Sequence, residues 1–255
     1  MRIRVITPNT TGGSGIPEFF RPMVRESTEL SETGLLAGPA SVESAYEEAL
    51  AIPDILARLV EAQRDGVDAA VIDGVLSPGL AAGREIVEIP VVGAGQAAVH
   101  VAGMLADSFS LVTVLSRVRR LIEDAVSSYG LASRLRSVRA VDMTVLELAT
   151  NRDHLVRRLV EESIAAVTDD DAKAIILGCS GMYGCADALS AELAAHGYAD
   201  VPVIDPVLAA IKVAELLVEL GLTQSKRSYP RPPAKELSGF PFLCDAAAGV
   251  GVTSP

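Results

Sequence analysis

The chain has 255 residues, 49% of them apolar, no tryptophan and a formal net charge of −11. That length suits one large or two small α/β units with a core of Ala, Val, Leu and Ile. The acidic balance disfavours a nucleic-acid backbone or an anionic membrane surface as partner, while local backbone amides can still hold a small anion.

Ile3 to Thr7 is a β-rich run and reads as the first strand. The polar, Gly-rich stretch Pro8 to Gly15 follows. No Gly-Lys-Ser/Thr ends it, so it is not a phosphate-binding P-loop. It is either a plain turn or a strand-end loop from which Asn9 and Thr10 reach a ligand. Pro17 opens a helix toward Glu26. Ser41 is predicted to cap a helix carrying Ala45, Tyr46, Ala49 and Leu50. Pro53 is predicted to start a second helical piece through Ile55, Leu56, Leu59 and Val60. Then come a strand from Ala69 to Ile72, a loop at Gly74, a helix from Gly79 to Val87, a strand at Pro90 to Gly93 and a helix from Gln96 to Ala106.

Phe109 to Leu115 is a strand, and Ser116 is the expected N-cap of a helix ending at Tyr129-Gly130. The apolar region Ala97 to Leu115 is broken by His100, Asp107 and Ser108, so it reads as helix plus strand and not as a membrane span. Arg117, Arg119 and Arg120 crowd the first turn of the following helix, where cations oppose the dipole. A nearby anion would account for them; so would a solvated basic face for Arg119 and Arg120. A strand at Val138 to Val141 and a helix from Arg152 to Val167 come next. Pro202 to Asp205 reads as the last strand and Pro206 to Leu220 as an amphipathic helix. From Thr223 the pattern dissolves, and an extended tail is expected over 223–255.

The centre of the pattern is the buried strand Ala174 to Leu177, which leads through Gly178 to Cys179, a Ser-Gly turn and a helix predicted over Met182 to His196. Ligands in open parallel sheets bind at the carboxyl ends of strands, and a helix N-terminus favours a thiolate. Cys179 is therefore the candidate reactive thiol, with a lowered pKa; the alternative is a buried structural cysteine. The three cysteines, Cys179, Cys185 and Cys244, form no disulfide framework, and neither they nor the histidines have zinc-ligand spacing. No metal is expected. The odd cysteine count and the lack of a long apolar segment point to the cytoplasm.

Asp68 to Leu80 echoes that centre: strand, small-residue turn, helix. Aligning the strand ends sets Gly74 against Cys179, so the chain reads as two similar halves with a thiol in only one. Asp73 alternates to the opposite side from residue 74, and a structural role is expected for it. The fold class is α/β, with two pseudo-symmetric lobes, each a parallel sheet flanked by helices, and the active site in the cleft between them. Residues 1–95 with 206–222 make one lobe and 96–205 the other.

Arg2 to Thr11, Val71-Ile72-Asp73-Gly74 with Pro78-Gly79-Leu80, Leu177 to Met182, and Pro202 to Asp205 together resemble the Asp/Glu/hydantoin racemase superfamily over nearly the whole chain. Ala209 to Glu215 with Ser225-Lys226 is similar to its hydantoin/allantoin racemase branch. The resemblance implies a mechanism without cofactor or metal, in which two cysteines face a carbon acid from opposite sides. One thiolate takes the α-proton and the other thiol returns one. Cys179 matches the second cysteine. Gly74 stands in place of the first, and Ser77 stands where the hydantoin branch tends to have Asp.

The resemblance also implies substrate contacts at Asn9, Thr10, Gly74, Val75, Thr113, Ser116, Ser180 and Gly181. Val75, Ser180 and Gly181 would act through backbone amides. The expected partner is a small molecule, such as a hydantoin or an amino-acid derivative, with no nucleic acid or membrane, and the expected assembly is a homo-oligomer. A second reading is a cofactor-free decarboxylase of the arylmalonate type, which resembles this pattern in keeping one second-lobe cysteine opposite a Gly. Val75 and Leu76 then replace the hydroxyl-bearing residues expected there. Further readings are a non-catalytic binding protein that keeps the cleft, and a cysteine-to-glycine variant of a racemase.

Overall fold

The computed structural model describes residues 1–11, 15–233, 235, 238 and 240. The rest of the expected tail, Cys244 included, lies outside the described residues. The elements alternate in chain order: β1 (Arg2–Ile6), α1 (Ile16–Phe20), β2 (Glu29–Thr33), α2 (Ala45–Arg64), β3 (Ala69–Ile72), α3 (Leu80–Ile86), β4 (Val91–Gly93), α4 (Ala94–Leu105) and β5 (Phe109–Thr113). They continue with α5 (Arg119–Ser128), β6 (Leu135–Ala140), α6 (Val145–Leu148), α7 (Arg152–Thr168), β7 (Ile175–Leu177), α8 (Ala186–Ala195), β8 (Val203–Ile204) and α9 (Pro206–Glu219).

The strands form two four-stranded parallel sheets, ordered β2-β1-β3-β4 and β6-β5-β7-β8. Each half of the chain uses its strands in the same order, second-first-third-fourth. β3 and β7 are therefore equivalent, which sets Gly74 opposite Cys179. Both are buried along their length, as apolar strands covered on two faces must be. α9 follows the second sheet in sequence yet packs on the first: Val207, Ala210, Ile211 and Ala214 share a core with Ile3, Val5, Ala69 and Val71. That return ties the two sheets together.

Several boundaries differ from the sequence expectation. β2 is not predicted, because Glu29–Thr33 is polar; it is a half-buried edge strand that exists through its parallel pairing with β1. The cap of α2 is Ser44 and not Ser41: Ser44 Oγ accepts the Glu47 N–H at 3.2 Å, and Glu47 Oε2 accepts the Glu43 N–H at 2.7 Å. Pro53 starts no new helix. α2 runs straight through it, because Ala51, Ile55, Leu59 and Ala62 form one continuous buried face. α5 is preceded by a 3₁₀ turn at Ser116–Val118, and Ser116 makes no side-chain cap. α8 starts at Ala186, later than expected, after a 3₁₀ turn at Ser180–Met182.

The start of the tail is pinned to the first lobe. Lys226 Nζ donates to the carbonyls of Arg84, Glu85 and Val87 at 2.7–3.1 Å, where α3 runs out of its own donors. Gln224 pairs with the backbone of Val87, Ile89 and Val91, and Tyr229 lies under the Arg84 guanidinium.

Candidate active site

Parallel pairing brings the carboxyl ends of β1, β3, β5 and β7 to one region. Asn9 after β1, Gly74 and Val75 after β3, Thr113 at the end of β5, and Cys179 and Ser180 after β7 line one cavity of about 70 Å³. The β5 and β7 ends lie tight against each other: Thr113 Oγ1 donates to the Gly178 carbonyl at 3.2 Å, and a Cβ on Gly178 would stand 2.8 Å from Thr113 Cα. Asn9 Oδ1 accepts from the Thr11 backbone and hydroxyl, which fixes the loop after β1 as a local turn. Thr10 turns the other way, its N–H and hydroxyl both on the Pro39 carbonyl. Ser116 is exposed. Gly181 does not line the cavity, but its N–H bonds the Cys179 sulfur.

The loop after β2 contributes what sequence reasoning missed. Ser41 and Val42 line the cavity, as do Leu76, Val118, Ile122 and Val145. Glu43 is buried and joins the two halves across the cleft. Its Oε1 accepts the Val145 N–H at 2.7 Å, and its Oε2 meets Arg117 at 3.4 Å. The anion expected near Arg117 is thus this carboxylate. Arg120 pairs with Asp124 on the surface. The only advance signal for Glu43 was its place just before a helix start, which reads equally well as capping.

Cys179 is extended (φ −154°, ψ 137°), partly buried and a free thiol. Its pKa moves opposite to the expectation. Burial pushes the thiol up to about 12, and the negative charges of Asp73 and Glu43 raise it further, against one lowering contact, the Gly181 N–H. The helix invoked to lower it begins only at Ala186, beyond the 3₁₀ turn, so its dipole does not act at the sulfur. Burial thus favours the protonated thiol, a proton donor.

Gly74 lies at φ +92°, a backbone that L side chains rarely adopt, and a Cβ there would meet Pro8 Cγ at 3.6 Å. Space exists for a side chain; the backbone disfavours one. Asp73 is 1% exposed. Its Oδ1 accepts the Gly74 N–H at 2.5 Å, and among the described residues its Oδ2 has no partner in hydrogen-bond geometry. Burial pushes its carboxyl up to about 7, opposed by the Gly74 N–H and the nearby Ser180 hydroxyl and reinforced by Glu32 and Asp205. Among the described residues no group of three His, Cys, Asp or Glu is placed to hold a metal ion.

The profile of the Asp/Glu/Hydantoin racemase family matches residues 3–214. A hydantoin racemase of Pseudomonas sp. (strain NS671) is 41% identical over 242 residues, covering 94% of this chain and 95% of that protein. The crystal structure of an allantoin racemase from Pseudomonas fluorescens superposes with a TM-score of 0.87 at 37% identity, covering 94% of this chain and all of that one. Arylmalonate decarboxylase shares the fold at 19% identity and a TM-score of 0.61, over 94% of this chain and 97% of its own.

Proposed function

Because the chain belongs to the Asp/Glu/hydantoin racemase family, we propose that it is a cofactor-independent racemase or epimerase of a small, uncharged carbon acid of the hydantoin type. Cys179 moves the proton on one face of the reacting carbon. The observation that carries this reading is the free thiol of Cys179 in a largely apolar cleft where the strand ends meet, with burial favouring its protonated form. A protonated thiol can quench a carbanion directly. Backbone amides of Val75 and Ser180, both at the cavity wall, can stabilise the enolate oxygen that forms when the α-proton leaves. Thiol and amides together provide the acid–base and the electrostatic parts of such a reaction.

The substrate class follows from charge. None of the described lining residues is Lys or Arg, and the carboxyls of Asp73 and Glu43 stand close enough to raise the thiol pKa. A carboxylate on the substrate would be repelled there, which favours a cyclic amide over an amino acid or a malonate.

Proton NMR in D₂O tests the reading with a panel of 5-substituted hydantoins, amino acids and substituted malonates. The expected result is α-proton exchange with inversion on a hydantoin. Loss of CO₂ from a malonate would instead make the protein a lyase, and tight binding without exchange would make it a binding protein.

A further inference from the structure

We infer that Asp73 does the work of the side chain that residue 74 lacks, holding and releasing the second proton of the reaction through the hydroxyl of Ser180. The inference rests on the racemase reading above. It starts from an arrangement that a purely structural carboxyl does not need. Asp73 is 1% exposed and ends the strand equivalent to the one that presents Cys179. One oxygen is fixed by the Gly74 N–H, and the other, Oδ2, is buried and has no partner in hydrogen-bond geometry among the described residues. A buried acceptor whose nearby donor, the Ser180 hydroxyl, stands short of good hydrogen-bond geometry is destabilising, and an apolar residue of similar size would avoid that cost. What stands beside this carboxyl is the Ser180 hydroxyl, on a residue that lines the cavity next to Cys179.

The groups facing Asp73 are acidic: Glu32 from β2, Asp205 at the start of α9 and Cys179 after β7. With burial they bring the carboxyl to about 7, where it accepts a proton and gives it back at neutral pH. Asp73 and Cys179 thus hold one negative charge between them, on the carboxylate, with the thiol protonated. In the forward direction the substrate C–H bond breaks and its electron pair moves onto the adjacent carbonyl oxygen. The proton goes to Ser180 Oγ as the Ser180 hydroxyl proton passes to Asp73 Oδ2. The Cys179 S–H proton then goes to the other face of the carbon, leaving a thiolate. Return of the proton from Asp73 to the thiolate resets the site, and the opposite enantiomer runs the same steps in reverse.

The test is racemisation of each enantiomer of a 5-alkyl hydantoin against pH, with deuterium incorporation read by NMR, for wild type, Asp73→Asn and Ser180→Ala. Wild-type kcat/KM is expected to rise with pH through about 7 as Asp73 ionises. Asp73→Asn should lose about 10²-fold or more in kcat with KM unchanged, and should lose the rise near neutrality. Its Cys179 should alkylate faster with iodoacetamide, because a neighbouring negative charge is gone. Ser180→Ala, a change at a half-exposed position, should lose the same pH limb and carries the test if Asp73→Asn does not fold. An Asp73→Asn enzyme that racemises at the wild-type rate, or that fails only through a raised KM with the pH limb intact, overturns the inference and leaves the racemase reading standing. A wild type that neither racemises nor exchanges any member of the panel overturns both.

Discussion

At the end of β3 the chain turns through Gly74 at φ +92°, whereas at the equivalent end of β7 it stays extended through Cys179 at φ −154°. The two points occupy the same place in their sheets and line the same cavity. The extended end can carry a side chain toward the cleft without backbone strain. The other end favours glycine, and the acidic side chain there lies one residue back, the buried carboxyl of Asp73. Near-symmetry of the fold therefore does not carry over to the side chains at the cavity wall: backbone dihedrals decide which end can hold one without strain.

The largest effect is expected at the β7 end. Cys179→Ala should lower exchange and inversion by about 10²–10⁴-fold, the range for a positioned acid–base group. Thermal unfolding should be little changed, since only a partly buried sulfur is lost. An Ala variant with normal turnover would remove the functional distinction between the two strand ends.

The β3 end should show itself through pH-dependent stability. The Asp73 pKa is raised by folding from 3.8 to about 7, so its protonated form is the one the fold favours. Its contribution is fully present below pH 3.8 and is lost as pH rises through about 7. The loss is on the order of 4 kcal/mol. Denaturant unfolding at acid and neutral pH should find this slope in wild type and find it flattened in Asp73→Asn. Equal slopes would mean that the carboxyl is not held in the buried state described.

Glu43 reaches across both ends. Glu43→Ala leaves the Val145 N–H without its partner, at about 1–3 kcal/mol. KM for a hydantoin should rise more than kcat falls, because Glu43 fixes the loop that carries Ser41 and Val42 at the cavity wall. The same variant should speed iodoacetamide labelling of Cys179, whose pKa Glu43 helps to raise. Unchanged KM and labelling would detach the loop after β2 from the site.

The smallest effect is at Gly74. Gly74→Ala or Gly74→Cys places a Cβ at ordinary contact distance from Pro8 but forces an L residue to φ +92°. The expected cost is about 1–2 kcal/mol, a fall in Tm of roughly 2–8 °C. A new thiol there starts from a strained backbone, unlike Cys179. A Gly74→Cys variant as stable as wild type would show that this end relaxes to the extended form of its counterpart.

Much of this could be read from the residues in order. Apolar runs such as Ala69–Ile72 and Ile175–Leu177 demand buried parallel strands, and their repeated order through the chain sets Gly74 against Cys179 without reference to coordinates. Asn9, Gly74, Val75, Thr113 and Ser180 stand next to strand ends for the same reason. What the chain did not announce depends on partners distant in sequence. Glu29–Thr33 is a strand only because β1 pairs with it. Ser41 and Val42 reach the cavity because Glu43 is held by Val145 and Arg117, 102 and 74 residues away. The Cys179 pKa departs from the sequence expectation because local order suggests a helix dipole, whereas desolvation and two approaching carboxyls exist only after packing. Periodicity and strand order are properties of neighbours along the chain, and they determined the fold class and the pairing of the two halves. Burial, charge proximity and the sign of φ at Gly74 are properties of neighbours in space, and only the tertiary structure decided them.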